Sequence, residues 1–172
     1  MRRFSTLIAF AVLAGSAQAD FDKGLEAWNK GDYKAALDEL RPAAQQGDAR
    51  AQFYLGEAFN KGRGEVQDYA EAANWYRKAA AQNNVDAQET LCGMYFFGQA
   101  GITQDYSEAI KYCVPAGKQN KPYPAYLGAY MYEFGKGVET DLAQAAVLYK
   151  VVQSGVVQSA LTAIIQSALH TL

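Results

Sequence analysis

The chain has 172 residues, half of them apolar, with 16 basic and 18 acidic side chains. A net charge of −2 spread along the chain gives no electrostatic footprint for nucleic acid and no polybasic patch for anionic lipid. The one histidine, His170, stands two residues from the end, and no His/Cys/Asp/Glu set has zinc spacing. Neither a histidine base, a metal centre nor a cofactor is expected.

Residues 1–19 read as a secretory signal peptide. Arg2 and Arg3 form a short basic start, Phe4 to Gly15 is apolar, and Ala17, Gln18 and Ala19 make a small-x-small cleavage site. The apolar run is too short to span a bilayer, so no stable membrane insertion is expected. Cleavage before Asp20 leaves 14 basic and 18 acidic residues, a charge of −4. The mature protein is expected to be periplasmic or secreted.

From Asp20 onward the chain repeats itself. Asp32, Asp68, Asp105 and Asp141 are spaced 36, 37 and 36 residues apart. A period of that length marks a solenoid or array. The first unit, 20–48, carries Gly24, Gly31, Asp32, Tyr33, Ala36, Leu40 and Ala43. In the second, 49–85, Ala51, Leu55 and Phe59 define one helix face and Gly62 and Gly64 end that helix. Asp68 then caps a second helix, with Glu71 at the capping-box position and Ala72, Trp75, Tyr76 and Ala79 on its buried side. Asn83 follows the last turn, where a left-handed residue is wanted.

The third unit, 86–121, repeats this through Ala87, Leu91, Tyr95, Gly98, Gly101, Asp105, Ala109, Tyr112, Cys113, Ala116 and Asn120, with Ala100 as one extra loop residue. The fourth, 122–155, has Pro124 and Gly128 in the small and leucine positions, which predicts a late or bent start to its first helix. Ala72, Ala109 and Ala145 are expected where paired helices approach most closely. The tail, 156–172, puts Val157, Leu161, Ile164, Ile165 and Ala168 on one helical face and is expected as a cap over the last unit.

The runs Ala51–Gly64 with Gln67–Ala80, and Ala87–Gly101 with Gln104–Ala116, resemble Sel-one-like repeats, relatives of the tetratricopeptide repeat with a longer internal loop. The first unit resembles an ordinary tetratricopeptide repeat. The resemblance covers Phe21 to about Gly155 and implies an all-α fold: an α/α superhelix, right-handed, of about four helix pairs plus a C-terminal capping helix. It also implies that the first helix of each unit lines the concave face. Those positions are Leu25, Trp28 and Asn29, then Arg50, Phe53, Glu57, Asn60 and Lys61. Asp86, Glu89, Phe96 and Phe97 follow, then Tyr123, Tyr126, Tyr130, Glu133 and Phe134. The candidate groove residues are Phe53, Glu57, Asn60, Lys61, Phe96, Phe97, Tyr123, Tyr126, Tyr130 and Glu133.

Cys92 and Cys113 lie in one unit, where other units hold Gly56 or Ala129 and Tyr76 or Tyr149. A joint departure in an exported chain favours a disulfide. Two buried free thiols are the alternative, and a one-turn offset across the helix pair would put the sulfurs out of range. A solenoid with no catalytic constellation points to a non-enzymatic interaction module that binds a protein or peptide segment. A cell-wall glycan or peptidoglycan-linked ligand is the alternative, on the aromatic positions, and a hydrolase is a distant third.

Overall fold

The computed structural model describes residues 20–99 and 101–169, with side chains through residue 155. The expected signal peptide, Ala100 and His170 lie outside these residues, as do the side chains of Val157, Leu161, Ile164, Ile165 and Ala168. Among the described residues all regular structure is α-helical, and the fold is a solenoid-type helical repeat. The helices are α1 (20–29), α2 (Tyr33–Gln45), α3 (Ala49–Lys61), α4 (Tyr69–Ala80), α5 (Val85–Phe97), α6 (Tyr106–Lys118), α7 (Pro122–Phe134) and α8 (Leu142–Leu169). The chain forms two compact units, one ending at Ala87 and the other beginning at Gln88.

The periodic aspartates start the second helix of every pair. Asp32 accepts from the Ala35 N–H at 3.1 Å, Asp68 from Glu71 at 2.9 Å, and Asp105 from Glu108 at 3.0 Å. Asp141 accepts from Ala143 and Gln144, both at 3.0 Å. Each satisfies helix-start donors that have no partner within the helix. The loop before each of the last three is tied back to the first helix by the aspartate's own N–H. It donates to the Phe59, Tyr95 or Tyr132 carbonyl at 2.9–3.0 Å. Gly62, Gly98 and Gly135 end the first helices at φ of 62 to 67°, where a Cβ would be strained. Asn83 and Asn120 take the same left-handed conformation after α4 and α6.

In the first unit the core holds Phe21, Ala36, Leu37, Leu40, Ala43, Ala44, Ala51, Leu55 and Ala58. Gln52 is buried within it. Its amide donates to the Ala44 carbonyl at 3.1 Å and its oxygen accepts from Gln82 at 2.9 Å, so the buried amide is satisfied. In the second unit Gln119 donates to buried Gln88 in the same way, at 3.0 Å. Ala125, Ala129, Ala145 and Leu148 form the core between α7 and α8. Ala72, Ala109 and Ala145 are all buried.

Within each pair one small residue on the first helix faces the residue eight places after the capping aspartate. A Cβ on Gly24 would lie 2.6 Å from Leu40, and one on Gly56 would lie 2.6 Å from the Tyr76 ring. In the third pair these two positions are Cys92 and Cys113, and they are bonded, with Cα atoms 4.8 Å apart. The fourth pair is shifted by one residue: Gly128 faces buried Leu148, and Tyr149 is left half-buried.

Two details depart from the sequence-based expectations. Helix α7 starts at Pro122, as long as α3 and α5, so Pro122 and Pro124 sit in the first turn, where proline removes no needed N–H. The tail does not begin a new helix: it continues α8 as one helix through Gly155. Gly155 is no helix stop. Its bare Cα lets Pro122 approach, since a Cβ would lie 2.6 Å from the proline ring.

The close approach at Gly56 is directly testable. Gly56→Ala should destabilise the protein by about 1–3 kcal/mol through overpacking against Tyr76, measured by chemical denaturation. Gly31→Ala, at a turn with open space around it, measures the separate cost of a left-handed backbone.

Candidate aromatic interaction face

The first helices of the last two pairs, α5 and α7, bring aromatic rings together in the second unit. Phe96 meets Phe97 with ring centroids 4.8 Å apart, Tyr106 at 5.2 Å and Tyr130 at 5.9 Å. Tyr130 meets Phe134 at 4.8 Å, and Tyr126 meets Tyr149 at 6.2 Å. Tyr123, Tyr126, Tyr130 and Phe134 recur every three or four residues, so they share one face of α7. Tyr123 lies beside Gly93 of α5: a Cβ there would be 3.8 Å from its hydroxyl.

Burial sorts these rings. Phe97 and Tyr123 are 47% exposed, Tyr126 50% and Phe134 57%. Among the described side chains these are the exposed aromatics, and all four stand on α5 or α7. Phe96 is buried, so it supports Phe97 and Tyr130 from beneath. Exposed apolar rings side by side are the usual mark of a recognition surface.

The polar groups around the rings are engaged internally. Glu133 accepts from the Tyr149 hydroxyl at 2.6 Å. Glu89 pairs with Lys121 at 2.9 Å. Gln104 donates to the Phe96 carbonyl at 2.8 Å, which fixes the end of α5 where Phe97 stands. Nearby Glu133, through its hydrogen bond first and then with burial, pushes the Tyr149 phenol up to about 12. Burial, with the Glu89 charge behind it, also raises Tyr123 above the usual phenol value.

The candidate residues of α3 belong to the compact unit that ends at Ala87 and are occupied there. Phe53 packs against Tyr54 and Tyr76, at 5.6 and 5.8 Å. Glu57 accepts from the Tyr76 hydroxyl at 2.7 Å and pairs with Lys61. The Asn60 carbonyl accepts from Gln67 at 2.8 Å. Lys61 is exposed. The structure thus brings Phe96, Phe97, Tyr123, Tyr126, Tyr130 and Glu133 into one neighbourhood, and Phe53, Glu57, Asn60 and Lys61 into another. Sequence reasoning missed Tyr106 and Tyr149 as members of the ring set. They come from second helices, and the signal available was that Tyr69 and Tyr106 both follow a capping aspartate.

Among the described residues no group of His, Cys, Asp or Glu could hold a metal ion, and no helix is long and apolar enough to cross a membrane.

The tyrosine–glutamate pairs set an alkaline limit on stability. Burial first, then the Glu57 charge and hydrogen bond, drive Tyr76 far above its ordinary value of 10.0. Tyr149 rises to about 12. Both folded values are raised, so their stabilisation is complete below the unfolded phenol value and is lost as pH climbs above it. Denaturation midpoints should fall above about pH 10. Tyr76→Phe should flatten that fall, at a cost near neutrality of about 1–3 kcal/mol for the lost bond to a charged acceptor.

Comparison with known proteins places this geometry. The family model described as Sel1 repeat matches residues 49–84 and 85–121. A second, described as a protein of unknown function (DUF4244), matches residues 137–170. Among solved structures, a protective antigen present in uropathogenic Escherichia coli strains, displaying an SLR fold, is similar with a TM-score of 0.74 and 30% identity. The match covers 84% of this chain and 32% of that one. A Sel1 repeat protein from Oxalobacter formigenes is similar with a TM-score of 0.65 and 28% identity, covering 84% of this chain and 59% of that one. Among curated proteins, DAP3-binding cell death enhancer 1 of Rattus norvegicus is 39% identical over 70 residues, 41% of this chain and 14% of that protein. The chain therefore spans a small part of the curated relatives and about a third to three fifths of the solved ones.

Proposed function

We propose, from the Sel1 repeats matched over residues 49–121 and the similarity to solved Sel1-like repeat folds, that this chain is a Sel1-like repeat protein and a non-enzymatic interaction module that holds a segment of another protein against α5 and α7. The observation that carries this reading is the placement of Phe97, Tyr123, Tyr126 and Phe134, exposed together on first helices of the repeat. Rings are low-entropy, high-area anchors, and a few of them carry most of the binding energy of an interface. In this reading Tyr130 and Phe96 hold the exposed rings in place, and Glu133 orients Tyr149 rather than the partner. On α3, the exposed Lys61 is the residue that could reach a second segment.

We further propose that the protein works outside the cytosol, periplasmic or secreted. The basic-apolar start with its Ala17, Gln18 and Ala19 cleavage pattern supports this. So does a bonded Cys92–Cys113 pair, which persists in oxidising compartments.

One experiment addresses both points. A photo-crosslinking side chain at position 126 or 134, in cells, should capture a defined exported protein, on a chain whose intact mass begins at Asp20. The same group at exposed Val66 should not capture it. Phe134→Ala and Tyr126→Ala should each weaken the captured interaction by about 1–3 kcal/mol with an unchanged melting temperature. Capture from position 66 alone would move the site off this face.

A further inference from the structure

Resting on that reading of the aromatic face, we propose that the Cys92–Cys113 bond is a one-way redox latch on it. The chain presents the face only once the bond has closed, and the closed bond is then sealed from reductants. Helix α5 supplies Phe97 to the exposed rings and Phe96 beneath them. It reaches α7 through the Phe96–Tyr130 contact at 5.9 Å, and the start of α7 through the Glu89–Lys121 pair at 2.9 Å. Its place is set from α6. The bond lies about one helical turn before Phe96, with Cα atoms 4.8 Å apart. Helix α3 is fixed on α4 by the Tyr76 ring and its hydrogen bond to Glu57. On α5 Gly93 stands in place of that glutamate, so the covalent bond takes over from ring and hydrogen bond.

Without the bond the same backbone no longer fits. Non-bonded heavy atoms keep about 3.5–4 Å apart. Both cysteine side chains are wholly buried, so two free thiols have no open space to turn into. Helix α5 must then move off α6, and Phe96 and Phe97 move with it, away from Tyr106 and the rings of α7. Burial also gives the latch its direction. Exchange needs an incoming thiolate at a sulfur, and neither sulfur of the folded, bonded protein is open to one. Closing has a defined balance. One cysteine thiolate attacks an oxidant disulfide and releases one oxidant thiol, and the other cysteine attacks the mixed disulfide and releases the second. The cysteine pair gives up two protons and two electrons, and the oxidant disulfide takes them up as two thiols.

The test compares the full mature chain oxidised with the same chain reduced by dithiothreitol in denaturant and refolded under reductant. In the reduced chain, amides of α5 and the first turns of α6 should exchange hydrogen at least about tenfold faster, while those of α3 and α4 keep their oxidised rates. In native buffer, dithiothreitol should reduce the bond at least about a hundredfold more slowly than in denaturant. Unchanged exchange in α5 on reduction overturns the latch. So does loss of protection in α3 and α4 as well, or equal rates of reduction. In cells, the photo-crosslinking group at position 134 should lose its captured protein when Cys92→Ser and Cys113→Ser are combined. Cys92→Gly with Cys113→Leu, which restores a small-against-large contact without a bond, should recover it. Capture by the serine variant overturns the latch and leaves the interaction module standing. No capture by any variant, the native chain included, removes the module, and the exchange rates then still decide whether the bond positions α5.

Discussion

The distance between the two helices of a pair is set by one small residue on the first helix, lying opposite the residue eight places after the capping aspartate. The chain meets this constraint in different ways. Gly24 accepts Leu40, and Gly56 accepts the ring of Tyr76. Cys92 and Cys113 replace a packed contact by a covalent one. The choice of cysteine has a local cause. Tyr76 can be buried because Glu57 takes its hydroxyl proton bond. At the matching place on α5 stands Gly93, and Phe96 stands where α3 has Asn60. A tyrosine at 113 would bury a hydroxyl with no acceptor on that helix, which costs more than the packing returns.

The same exchange prepares the aromatic face. With no Glu or Asn needed on α5, Phe96 and Phe97 are free to be aromatic. Phe96 fills the space beside Tyr106 and Tyr130, and Phe97 is turned out. In the fourth pair the contact slides by one residue to Gly128 and Leu148. That slide frees Tyr149 from the core and lets it pair with Glu133 and touch Tyr126. The exposed rings are thus a consequence of how the third pair, with a disulfide, and the fourth, with a glycine contact one residue out of step, solve the packing problem of the first two.

Much of the fold was legible in the sequence because its signals are local. The aspartate caps, the glycine stops and the left-handed Asn83 and Asn120 each follow from the chemistry of one residue and its neighbours. What was not legible depends on a distant partner. Gly155 reads as the end of a unit, yet it is helical, and its missing side chain leaves room for Pro122. Pro124 reads as a disruption, and its place in the first turn makes it harmless. Pro42 and Pro115, late in α2 and α6, are carried inside the helices. For the face, the positions on α5 and α7 were readable from the repeat. Which rings are covered was not, because Phe96 and Phe97 are adjacent in sequence and differ only in what α6 and α7 lay over them.

The account depends on residues 92 and 113 being the same contact as 24 and 40. The most direct measurement is the stability of Cys92→Gly combined with Cys113→Leu, compared with each single change, with and without reductant. The double variant should fold, be indifferent to reductant, and exceed Cys92→Gly alone by about 2 kcal/mol, the worth of one buried leucine side chain. A double variant no more stable than that single change would contradict the claim that one small-against-large contact sets the spacing of every pair.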